Sequence, residues 1–237
     1  MANRSEILDF TLETESPSPE SEAPDGERSV LTGFEADGRL CCAMVIIGQI
    51  EGHFALPAGI KTTKYEHVIP RLVQVEQDPA VGGLLLILNT VGGDIEAGLA
   101  ISELIAGMTK PTVSLVLGGG HSIGIPLAVS AKRSFIAKTA TMTVHPVRMN
   151  GTVLGVPQTM AYFREVQERI VDFVCENSRI AARRFRSLMT APGKMVGDMG
   201  TVLRGEEAVK EGLIDGVGTL ADAVAALRRM FGEPQTK

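Results

Sequence analysis

The sequence predicts an α/β fold in which helices cover a largely parallel β sheet. From Leu40 onward, short continuous apolar segments alternate with segments of helical periodicity, the pattern of parallel strands joined by crossover helices. Glycine clusters stand where predicted strands give way to helices. The core must be aliphatic, because 44% of the 237 residues are hydrophobic, 4% are aromatic and none is tryptophan.

The elements of the first half follow from local patterns. Cys41 to Ile47 and Gly83 to Leu88 are apolar runs, as expected for strands that are buried on both faces. Val68 to Gln77 is predicted to be helical, with Pro70 in the first turn, where a missing N–H costs little. Asp94 is predicted to be the N-cap of the next helix, which ends near residue 107.

Pro111 to Ala131 is an uncharged stretch of 21 residues, about the length of a membrane-spanning helix. A glycine triplet at 118–120 interrupts it, and each glycine lowers helix propensity by roughly 1 kcal/mol. We therefore interpret the stretch as a buried strand over Thr112 to Leu117, a glycine turn and a helix from Ser122, and predict no membrane span.

The second half is predicted to contain two short strands and three helices. Arg133 to Ala137 and Thr141 to His145 are the strands, and residues 206–212 and 220–231 are the last two helices, with Gly232 as a C-terminal stop. Between them, Pro157 to about Leu188 is predicted to form one helix of 32 residues, about 48 Å long. Its apolar stripe is expected to extend beyond the core of one subunit and comprises Phe163, Val166, Ile170 and Phe173.

Charge and composition divide the chain at about residue 28. Residues 1–28 carry eight acidic and two basic side chains with many Pro and Ser, whereas the rest carries 20 acidic and 21 basic side chains. The segment is expected to be a disordered acidic tail, followed by one domain over 29–237. A near-neutral domain with an acidic tail excludes a nucleic-acid-binding protein, which would need concentrated Lys and Arg.

The three cysteines fit neither a disulfide framework nor a metal site. Cys41, Cys42 and Cys175 show no paired spacing, and the acidic N-terminus lacks the apolar segment of a signal peptide. The sequence therefore predicts a soluble, cytoplasmic protein that needs no metal or cofactor.

Three short segments could carry chemistry. Gly92-Gly93 and Gly120-His121-Ser122-Ile123-Gly124 each follow a predicted strand and precede a helix, where backbone N–H groups favour negative charge. Ser122 is thereby placed as a nucleophile, and His145, at the end of a strand before Pro146, as a general base. Each segment also has a structural explanation: a packing turn, an N-cap serine and a structural histidine. An α/β-hydrolase is excluded, because that fold needs a histidine later than position 145.

Taken together, the three segments resemble the motifs of the Clp-type serine peptidases. The glycine pair, the serine and the histidine lie 29 and 23 residues apart, and the likeness covers roughly residues 40–220. Within the family, the chain is most similar to the translocation-enhancing group. The resemblance implies a Clp/crotonase-type fold, with stacked β sheets, surrounding helices and a projecting handle helix. It also implies Ser122 as nucleophile, His145 as base, and the backbone N–H groups of Gly93 and Ile123 as oxyanion hole.

The sequence departs from the family pattern at the third catalytic residue. Ungapped counting places the family's acid on Gly200, which has no side chain, and Asp198 is two residues away. We assign Asp198 as the acid that orients His145; a Ser–His dyad or a degenerate site is the alternative. A Ser–Lys pair with Lys132 or Lys138 is a further alternative for the base.

The function implied is hydrolysis of peptide bonds in peptides or unfolded proteins by a ring-forming homo-oligomer. An export component or an ATPase is the expected partner. Two alternatives stay open: an inactive Clp-like scaffold that binds peptides, and a crotonase-type enzyme acting on acyl-CoA.

Overall fold

The structure, a computed structural model, describes residues 31–148, 155–192 and 199–232. Within these ranges the strands are β1 Leu31–Ala36, β2 Arg39–Glu51, β3 Thr62–Lys64, β4 Val81–Gly93, β5 Thr112–Gly120, β6 Arg133–Ile136, β7 Thr141–Val144, β8 Thr201–Arg204 and β9 Gly216–Val217. The helices are α1 Tyr65–Gln77, α2 Ile95–Gly107, α3 Gly124–Val129, α4 Val156–Glu176, α5 Ala182–Met189, α6 Gly205–Lys210 and α7 Leu220–Arg229, followed by a 3-10 turn over Met230–Gly232.

The main sheet has the strand order β1-β2-β4-β5-β6-β9. Neighbouring strands in it are parallel, except that β1 and β2 are antiparallel. A hairpin turn at Asp37-Gly38 joins these two strands. Both turn residues have positive φ, 50° and 74°, as a type I′ turn requires. β3 extends the sheet beside the end of β2.

A second, smaller strand layer carries part of the candidate site. β7 and β8 pair antiparallel over four residues each. β7 meets the main sheet through one residue pair of β5, Gly119 and Thr141. The carboxyl end of β5 therefore lies beside the first residue of β7, and the carboxyl end of β4 is paired with β5 at Thr90 and Gly120.

The main sheet separates two apolar clusters. The larger cluster packs beneath α1 to α5 and includes Met44, Leu86 and Phe185. The smaller cluster lies on the other face, where Ala223, Ala226 and Leu227 of α7 contact it. The chain is thus the mixed α/β protein that the sequence predicts, with an aliphatic core on both faces of the sheet.

Several local predictions are confirmed. The Ala97 N–H donates to Asp94 Oδ1 at 2.8 Å, so Asp94 caps α2. The uncharged stretch from Pro111 divides into β5 and α3, as the glycine triplet indicates. None of the helices in the described ranges is long and apolar enough to cross a membrane.

The single helix predicted over residues 157–188 is wrong. The chain leaves the helix between α4 and α5, where the Asn177 side chain donates to the Phe173 carbonyl at 2.8 Å and the Ser178 hydroxyl to the Val174 carbonyl at 2.6 Å. Side chains that compete for backbone carbonyls favour helix ends. The helix α4 has 21 residues and is about 31 Å long, not 48 Å.

The apolar stripe of α4 packs mostly on its own chain. Val166, Ile170 and Phe173 are buried, which contradicts the expectation that this part of the stripe extends beyond the subunit. The exposed apolar residues lie near the helix start instead, at Val156, Met160 and Tyr162.

Other corrections are smaller. Pro70 is the sixth residue of α1 and not part of its first turn. The helix expected from Ser122 begins at Gly124, and β1, β3, β8 and β9 were not predicted. The acidic tail lies outside the described residues, so its disorder and the boundary at residue 29 stay predictions.

Candidate active site

Ser122 lies in a tight turn between β5 and α3. Its φ is +57°, a left-handed conformation that costs a non-glycine residue roughly 1–2 kcal/mol. The Ser122 N–H donates to the Thr143 carbonyl at 2.9 Å, and its carbonyl accepts from the Ile125 N–H at 3.0 Å. These bonds hold the serine in a strained conformation, as is common at functional sites.

The glycine turn at the end of β4 passes directly against this serine. Gly92 has a φ of +91°, and a Cβ on it would lie 2.7 Å from the Cβ of Ser122. The buried Thr90 hydroxyl shapes the turn, because it donates to the Gly48 carbonyl at 2.7 Å and accepts from the Gly92 N–H at 3.0 Å. Only glycine fits at position 92.

Gly93 is equally constrained. A Cβ on it would lie 2.2 Å from the carbonyl oxygen of Ile50. Gly93 pairs with Ile50 in the parallel ladder, and the Asp94 N–H donates to the Ile50 carbonyl at 3.0 Å. In a parallel pair the two flanking residues make such bonds, so the N–H of Gly93 faces away from β2.

His145 follows the last residue of β7 and is half-buried. Its Nδ1 lies 2.7 Å from the Pro146 carbonyl oxygen. Because a carbonyl only accepts, Nδ1 carries the proton in this contact. The neutral ring then has its lone pair on Nε2, the form that a general base requires.

The structure brings Gly93, Ser122, Ile123 and His145 together around one pocket of about 160 Å³. In the part of the chain that the structure describes, the Ile123 N–H makes no backbone hydrogen bond. Most of the remaining wall is apolar and consists of Ile95, Ile125, Val144, Pro146, Val147, Ile170, Phe185 and Met189, with Arg148 as the charged lining residue.

A second histidine adjoins the site. His121 Nδ1 lies 2.8 Å from the Thr143 hydroxyl. Burial, and then the charge of His145, lower the pKa of His121 below its ordinary value. No role for His121 was predicted, although a histidine directly before a serine in a glycine turn is the signal that could have singled it out.

Of the other candidates, the two lysines do not join the pocket. Asp198 lies outside the described residues, and Gly200, at the aligned acid position, has a φ of +135°. Lys132 donates to the Thr109 carbonyl at 2.7 Å, and the exposed Lys138 lies 3.9 Å from Glu206. Neither lysine lines the pocket.

This arrangement of strand ends agrees with a comparison to known families. The family model described as Clp protease matches residues 44–221. The chain belongs to the Clp protease family. The matched range contains both glycine turns, Ser122 and His145 of the pocket.

Individual proteins are similar to this chain. The translocation-enhancing protein TepA of Halalkalibacterium halodurans is 56% identical over 192 residues, which cover 81% of this chain and 75% of that protein. The ATP-dependent Clp protease proteolytic subunit 1 of Chlamydia abortus is 27% identical over 56% of this chain and 69% of its own. Capsid assembly protease C of Escherichia phage lambda is 27% identical over 70% of this chain and 43% of its own.

Proposed function

We propose that this member of the Clp protease family is a serine peptidase. The observation that carries the proposal is the pocket that Ser122, His145 and the backbone of Gly93 and Ile123 share. The Ser122 hydroxyl attacks the carbonyl carbon of a peptide bond while His145 Nε2 accepts its proton, and the same proton then passes to the leaving amine. Water hydrolyses the acyl-enzyme by the same steps.

The oxyanion of each tetrahedral intermediate is held by the N–H groups of Gly93 and Ile123. A preorganised donor of this kind contributes roughly 3–4 kcal/mol to transition-state stabilisation. Two observations support this assignment: the Gly93 N–H faces away from β2, and the Ile123 N–H donates to no backbone carbonyl among the described residues.

Asp198 is proposed as the acid that orients His145. In the described residues the Pro146 carbonyl accepts from His145 Nδ1, so the ring has an orienting contact of its own. Asp198→Ala is therefore expected to reduce turnover by a smaller factor than Ser122→Ala or His145→Ala. Equal losses in all three variants would contradict this ranking.

A fluorophosphonate probe tests the nucleophile. Wild-type protein is expected to be labelled on Ser122, and Ser122→Ala to lose both labelling and peptide cleavage. Its melting temperature should change by no more than a few degrees, since the hydroxyl carries no core packing. Cleavage of the same peptide by Ser122→Ala at the wild-type rate would show that Ser122 is not the nucleophile.

An inactive peptide-binding scaffold is the second candidate. Gly200 at the aligned acid position favours it, because a glycine has no side chain that could orient His145. The scaffold would bind an unfolded peptide without cleaving it and would resist the probe. Turnover of an acyl-CoA thioester, with no peptide cleavage, would instead indicate the crotonase-type chemistry.

The cellular role is proposed from the relative named translocation-enhancing protein. We place the protein in the cytoplasm, where its free cysteines stay reduced, with an export component or an ATPase as partner. Export of a secreted reporter should fall in a strain that lacks the gene. Unchanged export would contradict the role.

The assembly is proposed to be a homo-oligomeric ring in which the start of α4 meets a second copy. Val156, Met160 and Tyr162 are 61%, 50% and 56% exposed, and apolar side chains grouped in this way mark interfaces. Sedimentation velocity should give a species larger than one chain, and Met160→Glu should shift it toward the monomer. A wild-type monomer at micromolar concentration would rule out the ring.

A further inference from the structure

We propose that His121 is a positioning residue that sets Ser122 against His145 by way of Thr143. The inference rests on the proposed function, because it concerns the same nucleophile and base. It gives a role to His121, which stands in the segment Gly120-His121-Ser122-Ile123-Gly124 but takes no part in the proposed peptidase steps.

Two adjacent residues of the serine turn bond to one residue of β7. His121 Nδ1 contacts the Thr143 hydroxyl at 2.8 Å, and the Ser122 N–H donates to the Thr143 carbonyl at 2.9 Å. Thr143 stands two residues before His145 in the chain. The side chain and the backbone of Thr143 therefore connect the nucleophile to the strand that carries the base.

This connection matters because β7 has little other backbone contact with the main sheet. In the described ranges, β5 and β7 form a single ladder pair, Gly119 with Thr141. The bonds to Thr143 continue that contact toward the pocket. The distance between the Ser122 hydroxyl and the imidazole of His145 therefore depends on Thr143 staying in register.

The imidazole of His121 is fitted into a space that the backbone leaves open. A Cβ at Gly119 would lie 2.5 Å from His121 Nε2, so a larger residue there would displace the ring. The main chain of His121 is held as well, because its N–H donates to the Thr90 carbonyl at 3.1 Å and its carbonyl accepts from the Gly124 N–H at 2.9 Å. Because the backbone of His121 and its Nδ1 atom are both hydrogen-bonded, the ring fixes Thr143 relative to the serine turn.

The protonation state of His121 suits this role. Burial and the charge of His145 lower its pKa, so the ring stays neutral at physiological pH. A neutral ring can form the hydrogen bond with the Thr143 hydroxyl. It also places no second positive charge beside His145 when that residue accepts the serine proton.

Four variants separate positioning from general destabilisation. His121→Ala and Thr143→Val remove the two partners of the bond, and each should slow fluorophosphonate labelling of Ser122 about tenfold to a hundredfold, as a displacement near 1 Å does. His121→Asn and Thr143→Ser keep a polar group at each end and should label within about threefold of wild type.

The double variant His121→Ala/Thr143→Val tests whether the two residues act as a unit. If they do, the double variant labels as slowly as either single variant, because the second change removes a bond that is already broken. If the labelling rate of the double variant instead falls by the product of the two single losses, the two residues act independently, and the inference is wrong. Peptide cleavage by the single variants should show a lower kcat with an unchanged KM.

Hydrogen exchange of the Ser122 amide provides a readout that does not need catalysis. It should exchange about tenfold faster in His121→Ala and Thr143→Val, while the Asp94 amide, bonded to Ile50, keeps its wild-type rate. Faster exchange in the two variants, found together with a wild-type protein that resists the probe, would refute the peptidase and leave the positioning intact. Wild-type labelling and exchange in His121→Ala, with labelling lost in Ser122→Ala, would refute the positioning alone.

Discussion

Gly92→Ala should disable the nucleophile without unfolding the protein. The added Cβ would lie 2.7 Å from the Ser122 Cβ and 2.9 Å from the His121 carbonyl oxygen. Carbon atoms pack at about 3.5–4.0 Å, so the serine turn must retreat by about 1 Å. Rotation of the Ser122 hydroxyl gives no relief, because the clash is with Cβ and backbone. A displacement of this size costs about a hundredfold in rate.

The matched control is Gly59→Ala. Gly59 has a φ of +97°, close to the +91° of Gly92, and a Cβ there meets nothing within 4 Å. Both variants should lose about 1–2 kcal/mol of unfolding free energy from the left-handed backbone, and Gly92→Ala should lose more, because its Cβ also clashes with Ser122 and the His121 backbone. Only Gly92→Ala should lose fluorophosphonate labelling of Ser122. Wild-type labelling of Gly92→Ala, or an equal loss in Gly59→Ala, would refute the reasoning.

Two further outcomes concern stability. Pro70 stands inside α1 and is exposed, so Pro70→Ala should raise the unfolding free energy by about 1–3 kcal/mol in urea titrations; a decrease would mean that the proline does not strain the helix. Burial lowers the pKa of His121 below its ordinary 6.5, so the unfolded chain binds more protons than the folded chain near and below that pH. Stability should therefore fall as the pH drops through 6.5, and fall less in His121→Asn; identical slopes would contradict this.

The central strands could be predicted because a strand that is buried on both faces consists of consecutive apolar residues. Cys41 packs in the smaller apolar cluster and Cys42 in the larger one, so the apolar run there reflects burial on both faces of β2. The cap at Asp94 is likewise local, since its partner is only three residues away. The short strands β8 and β9 have too few residues to show a period.

The end of α4 could not be predicted from periodicity. Ile180 and Phe185 continue the apolar spacing and are buried, so the pattern shows no interruption. The break is fixed by a distant segment, because the Arg179 N–H donates to the Gly212 carbonyl at 2.9 Å. The adjacent Asn177 and Ser178 were the available local signal.

The candidate site likewise has one part that could be predicted from the sequence and one part that could not. Its residues at strand ends, Ser122, His145 and Gly93, could be selected from the sequence because each stands in a recognisable turn or motif. The contact between His121 and Thr143 joins residues 22 positions apart, and no local pattern predicts such a pair. The acid has no motif in this chain, and its assignment to Asp198 stays a prediction.

Ser122 and His145 follow strands of unequal stability, because β5 and β7 share a single ladder pair. Ser122 follows a strand bonded on both sides within the main sheet, whereas His145 follows a four-residue strand that pairs with β8 and shares one ladder pair with the main sheet. Protein segments with few shared backbone bonds open as separate cooperative units at lower free energy than the whole domain. Mild denaturant should therefore unfold the strand before His145 while the strand before Ser122 stays folded. Activity should then be lost at a lower urea concentration than the circular dichroism signal.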